Sequence, residues 1–137
     1  MSKTKYKQAA AFCYRKKKGK IHVLMITSRD TKQWILPKGW VEDDMSEMSL
    51  ATLEADEEAG VVTYPEKIKK IGHYLYKKRL SENQTVPVDV NVYSMPIRRL
   101  KQQFKEKHQR KRKLVTLEEA VELVTDENLE KFLRKVS

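Results

Sequence analysis

Glu54, Glu57 and Glu58 fall within five consecutive residues of a chain whose net charge is +10. Their spacing matters more than their number. At about 100° per residue on a helix, Glu57 lies about −60° and Glu58 about +40° from Glu54, so the three share an arc of roughly 100° while Asp56 points elsewhere. Carboxylates at i, i+3 and i, i+4 repel one another. They also stand in the C-terminal half of the expected helix, near the negative end of its dipole. A hard divalent cation relieves both costs. Mg2+ takes oxygen ligands, keeps several waters, and is usually held by a few carboxylates plus substrate phosphates. The plainer reading is a solvated acidic face paired with nearby lysines, and the cluster alone leaves both open.

The helix that must carry these residues is well marked. Ser46 suits the N-cap and Gly60 the position just past the C-terminus. Ala, Leu, Met and Glu dominate between them. Ala51, Ala55 and Ala59 form a small-residue stripe that would let the helix lie close against a sheet.

Strand signals flank it. Ala9–Tyr14 and Ile21–Thr27 are apolar runs separated by Arg15-Lys16-Lys17-Lys18-Gly19-Lys20, the pattern of a hairpin with a basic turn. Trp34–Leu36 predicts another short strand, ended by Pro37 and Gly39, with a loop from Lys38 to Met45. Ile68–Leu80 and Val86–Met95 predict long strands joined by Ser81–Gln84. In the second, Val86, Val88, Val90 and Val92 alternate with Pro87, Asp89 and Asn91. A basic, polar segment runs from Arg98 to Lys113, and Leu114–Thr116 predicts a short strand. Thr116 then reads as an N-cap with Glu119 as its capping-box partner. A last helix is expected from Asp126 to near Val136. Strands with one helix between them and one or two after predict an α/β (α+β) domain over residues 1–137, a mixed sheet with helices on its faces.

The segment Trp34-Ile-Leu-Pro-Lys-Gly-Trp40, followed by Glu54-Ala-Asp-Glu-Glu-Ala-Gly-Val61, resembles the Nudix box. In that family a Gly is followed by five residues, Glu, seven residues, and then Arg-Glu-U-x-Glu-Glu-x-Gly-U, where U is aliphatic. Gly39, Glu54, Ala55, Glu57, Glu58, Gly60 and Val61 match in register. The first Glu of the pattern falls on Met45 and the Arg on Leu53, two positions that in the family are usually joined by a salt bridge. A Met45–Leu53 apolar contact is the expected replacement, and such a swap need not destabilise.

The likeness extends over most of the chain. Ala9–Arg15, the strand ending Thr27-Ser28-Arg29, and Arg110-Lys111-Arg112-Lys113 before Glu118-Glu119-Ala120 look similar to the diphosphoinositol polyphosphate and dinucleoside polyphosphate phosphohydrolase branch. Leu114-Val115 stands where that branch usually has an aromatic residue. The resemblance implies an α/β/α sandwich with a mixed β-sheet and a Mg2+- or Mn2+-dependent pyrophosphohydrolase. It implies Glu54, Glu57 and Glu58 as catalytic and metal-binding residues, with the backbone carbonyl of Lys38 as a further metal contact. Arg15, Lys17, Arg29, Lys38, Gly39, Lys78, Arg79 and Arg112 are the matching candidates for binding a phosphate-rich small molecule. Trp40 and Tyr76 are candidates for stacking a base, and Asp89 for a late carboxylate.

Composition narrows the alternatives. There is one cysteine, Cys13, so no intrachain disulfide or cysteine metal cage forms. No run approaches the ~18 apolar residues of a membrane span. Met1 to Gln8 is basic, but the apolar run after it, Ala9 to Tyr14, is too short for a leader and runs into Arg15-Lys16-Lys17-Lys18, so no secretory leader and a cytoplasmic location are expected. His22, His73 and His108 lack ligand spacing. The charge of +10 favours anionic partners of several kinds. A nucleic-acid partner is open but not favoured, because the aromatic and Gly-x-x-Gly signatures of common RNA-binding modules do not occur. The rival to an enzyme is a binding module of the same fold, motivated by Met45 and Leu53.

Overall fold

The computed structural model describes residues 6–136. The first five residues of the basic Met1–Gln8 stretch lie outside these. Strands β1 (Tyr6–Lys17) and β2 (Lys20–Thr27) form the expected hairpin, with Lys17 opposite Lys20. Its turn is Lys18-Gly19, at φ of 52° and 78°. Two consecutive positive φ values belong to the turn whose twist matches that of the flanking strands.

Next come β3 (Trp34–Ile35) and β4 (Lys38–Trp40). The residues from Lys38, expected as a loop, begin as a strand because β4 pairs antiparallel with β1, placing Lys38 opposite Ala10 and Trp40 opposite Gln8. Helix α1 (Glu47–Ala59) has both predicted caps. Ser46 Oγ accepts from the Ser49 N–H at 3.1 Å, and the Gly60 N–H donates to the Asp56 carbonyl at 2.9 Å.

A strand the sequence reading lacked, β5 (Val61–Thr63), leaves the helix at once. Then follow β6 (Lys69–Ser81) and β7 (Gln84–Leu100), the latter longer than expected. The extra length is used: Val61 pairs with Leu100 and Val62 with Arg99. Strand β8 (Arg112–Thr116) leads into α2 (Leu117–Leu123) and α3 (Glu127–Val136). The capping box of Thr116 and Glu119 is present in full.

The sheet is mixed. Its path is β3-β2-β1-β7-β5, with β4 also on β1, β6 on β7 and β8 on β2. The β1–β7 pair is parallel and the other pairs are antiparallel. Because side chains alternate along a strand, each long strand feeds two cores. Ala9, Ala11, Cys13, Leu24 and Ile26 pack with Leu50, Ala51, Ala55 and Ala59 of α1. Ala10, Phe12, Val23, Met25 and Val86–Val92 at alternate positions pack with Ala120, Leu129, Phe132 and Leu133 of α2 and α3. The result is the expected α/β/α sandwich. Ala51, Ala55 and Ala59 are at most 1% exposed, so the alanine stripe does bring the backbone of α1 close to the sheet.

Candidate active site

Close packing of α1 presses its acidic face onto β4. A β-carbon built on Gly39 would stand 2.5 Å from Glu54 Oε2 and 2.7 Å from Glu54 Cδ. Glycine is therefore required for the carboxyl to lie on the strand backbone. One turn on, Glu58 is 6% exposed. Its Oε1 accepts from the Lys38 backbone N–H at 3.1 Å, and its Oε2 lies 3.5 Å from Arg110 Nη2. The carboxyls of Glu54 and Glu58 are close enough to act on each other. Burial pushes Glu58 up to about 8, with Arg110 offsetting only part of that and Glu54 adding to it. Burial also raises Glu54. Two carboxyls this close share a proton unless a cation takes its place.

Glu57 is more open, with its side chain 27% exposed and Lys105 Nζ 3.5 Å away. Asp56 turns from the cluster and pairs with Lys101. The C-terminus of α1 is stabilised by Arg112, whose Nη1 donates to the carbonyls of Ala59 at 2.8 Å and Lys101 at 2.9 Å. That cation offsets the negative end of the helix dipole, the cost anticipated for an acidic C-terminal half.

Lys38 carries its ammonium into the interior. Nζ donates to Gln8 Oε1 at 2.8 Å and lies 4.2 Å from the centroid of the Tyr76 ring. Burial and then the neighbouring Lys78 lower it to about 8. Arg110 is fixed from several sides. Nε donates to Glu106 Oε1 at 2.9 Å and Nη1 to the Thr27 carbonyl at 3.1 Å.

Lys38, Glu54, Glu57, Glu58 and Arg110 border one cleft of about 910 Å³. Of the residues expected in a site, it is lined by Arg29, Lys38, Gly39, Glu54, Glu57, Glu58, Lys78 and Arg79. Trp40 and Tyr76 line it as well. Arg15, Lys17 and Arg112 are not among its lining residues. Arg15 and Lys17 sit near the hairpin turn, opposite His22 and Lys20. Arg112 is used by the end of α1. Asp89 is bonded to His73 at 3.0 Å instead of facing the cleft. Met45 and Leu53 both line the wall and are each 37% exposed.

Gln8, Glu106 and Arg110 were not singled out from the sequence. Gln8 immediately precedes the apolar run of β1, and it is 4% exposed. Glu106 and Arg110 are an acid and a base four residues apart in the polar segment, which alone does not separate a buried pair from a surface one. More carboxylates than cations line the cleft, so the chain's positive charge resides mainly elsewhere.

No family model matches the chain. A curated relative, "Nudix hydrolase 21, chloroplastic" of Arabidopsis thaliana, is 35% identical over 89% of this chain. In sequence and in fold the chain is similar to Nudix hydrolases. It spans 63% of that relative's length. A solved C. elegans Ap4A hydrolase, as a binary complex, is 25% identical and superposes with a TM-score of 0.71, covering 96% of this chain and 94% of that one. The E. coli dihydroneopterin triphosphate pyrophosphohydrolase shares the fold at a TM-score of 0.71 and 15% identity, covering 94% of this chain and 92% of that one.

Among the described residues, no three His, Cys, Asp or Glu side chains form a ready-made metal cage. The donor set of α1 nevertheless fits Mg2+ or Mn2+. Such ions are commonly held by one or two carboxylates and completed by substrate phosphates and water. The neighbouring Glu54 and Glu58 carboxyls, with Glu57 one helical turn from Glu54, are an oxygen-only set of that kind. Among the described residues, no helix is long and apolar enough to cross a membrane.

Proposed function

We propose that this protein is a metal-dependent Nudix hydrolase that cleaves a phosphoanhydride bond in a phosphate-rich small molecule. The substrate classes in view are dinucleoside polyphosphates, diphosphoinositol polyphosphates and other nucleoside diphosphate derivatives. The observation that carries the reading is the neighbouring Glu54 and Glu58 carboxyls lying on the Lys38–Gly39 backbone, at a cleft also lined by Arg29, Lys78 and Arg79.

Glu54, Glu57 and Glu58, with the Lys38 carbonyl, would hold Mg2+ or Mn2+. A bound ion of this type polarises phosphoryl oxygens and makes its water a better nucleophile at neutral pH. The chain's own residues do the rest. Glu54 or Glu58 orients the attacking water as a hydrogen-bond acceptor. Arg29, Lys78 and Arg79 grip the phosphate chain and set its register, which supplies proximity and orientation. Trp40 and Tyr76 offer ring faces to a base or other flat group. The buried thiol of Cys13 fits a reducing compartment, and we place the chain in the cytoplasm.

The test is hydrolysis of diadenosine tetraphosphate and a diphosphoinositol polyphosphate with Mg2+ and with Mn2+. Loss of turnover in Glu57→Gln and Glu58→Gln is the expected result. Met45 and Leu53, apolar where the box has Glu and Arg, favour the second reading, a binding module of the same fold. Tight binding of these compounds with no hydrolysis, unaffected by either substitution, would establish it.

A further inference from the structure

Glu58 is held at both carboxyl oxygens, and the two holders come from either side of α1 in the sequence. Lys38, ahead of α1, donates its backbone N–H to Oε1 at 3.1 Å. Arg110, in the segment before β8, approaches Oε2 at 3.5 Å. The Arg110 side chain is only 7% exposed. A guanidinium buried to that degree must be paired, and it is: Glu106 Oε1 accepts at 2.9 Å and the Thr27 carbonyl at 3.1 Å.

The backbone around it is tied as firmly. The Lys111 N–H donates to Thr27 Oγ1 at 2.9 Å, and the Thr27 N–H to the Lys111 carbonyl at 3.1 Å. The Glu106 N–H donates to the carbonyl of Glu57 at 2.9 Å, joining this segment to α1 itself. Arg110 thus connects the end of β2, the 101–110 segment and the acidic helix. Its planar fork presents donors in fixed directions, which a lysine cannot copy.

We propose that Arg110 is the positioning residue for Glu58. Locked by Glu106 and Thr27, it sets the rotamer of the Glu58 carboxylate and supplies the fixed positive charge that Leu53 cannot provide from within the helix. This rests on the reading of Glu58 as a metal donor.

The experiment is Mn2+ titration by calorimetry on the full chain, alongside kcat and KM for diadenosine tetraphosphate. The variants are Arg110→Met, Arg110→Lys, Glu106→Gln and Glu58→Gln. Arg110→Met should weaken Mn2+ binding about tenfold or more and lower kcat by a similar factor, with KM within about twofold. Arg110→Lys should recover part of the affinity, and Glu106→Gln should fall between wild type and Arg110→Met. Should Arg110→Met fail to fold, Arg110→Lys and Glu106→Gln carry the same comparison. Wild-type Mn2+ affinity in these variants would overturn the proposal, whatever their melting temperatures. A raised KM with unchanged kcat would also overturn it, by making Arg110 a substrate contact. If Glu58→Gln binds Mn2+ as tightly as wild type, the metal assignment fails first and the proposal falls with it.

Discussion

The carboxyl of Glu54 occupies the place where a side chain on residue 39 would begin: a β-carbon on Gly39 would stand 2.5 Å from Glu54 Oε2. The obstructing atoms are the far end of a flexible side chain, so Gly39→Ala has a cheap escape for the fold and a costly one for the site. Glu54 would swing away from the strand backbone and from Glu58. The expected outcome is a melting temperature near that of wild type with Mn2+ affinity reduced about tenfold. Calorimetric titration beside a thermal melt separates the two effects, and unchanged affinity would show that the close approach is only a packing detail.

Met45 and Leu53 invite the reverse experiment. Both line the cleft and both are 37% exposed, so a charged pair can be installed there without burying it. Met45→Glu with Leu53→Arg should alter stability by less than about 1 kcal/mol, as exposed ion pairs do. Metal affinity and turnover should rise, by up to about tenfold if the pair orients the neighbouring carboxylates. No change in either quantity would mean that the apolar residues carry no functional cost.

The cations expected to bind phosphate divide into those at the cleft and those away from it. Lys78 and Arg79 line it, whereas Arg15 and Lys17 do not. A lost charge-assisted bond to phosphate is worth about 1.5–3 kcal/mol, so Lys78→Ser should raise KM by about tenfold or more. Arg15→Ser with Lys17→Ser should leave KM at the wild-type value at physiological salt. Equal effects from the two sets would mean that the substrate reaches the hairpin turn, well beyond the cleft.

The capping box of α2 makes a pH-dependent contribution whose sign is set by Glu119. Its carboxylate accepts from the Thr116 N–H, at 3.1 Å, and from the Thr116 hydroxyl, also at 3.1 Å. These bonds, chiefly the one to the backbone, lower its pKa from the ordinary 4.5. A depressed folded-state value means the contribution is fully present above the unfolded value and is lost as pH falls through the folded one. Denaturation midpoints of wild type and Glu119→Gln should therefore differ most near neutral pH and converge as the pH falls through the lowered value of Glu119. A difference that stays constant across that range would rule out the box as a titrating element.

Local signals went far with this chain. The caps at Ser46 and Gly60, the alanine stripe, the valine alternation and the Thr116–Glu119 box each depend on residues a few positions apart. Each appears in the structure because no distant contact opposed it. The helical arc of Glu54, Glu57 and Glu58 belongs to the same class, since a helix converts spacing directly into direction. β5 and the far end of β7 are different. Val61–Thr63 is too short to announce itself, and it is a strand because Leu100 and Arg99 lie beside it. The same holds for the site's enclosure. Whether Lys38, Arg110 or Arg112 is a substrate cation, a buried clamp or a helix cap cannot be read from a run of basic residues, because all three have the same local chemistry. Long-range packing separated them: α1 against β4 buried Glu58, β2 against the 101–110 segment enclosed Arg110, and the end of α1 captured Arg112. The acidic helix was thus determined by its own residues, and its electrostatic surroundings by contacts between distant residues, as between Arg110 and Thr27, 83 positions apart.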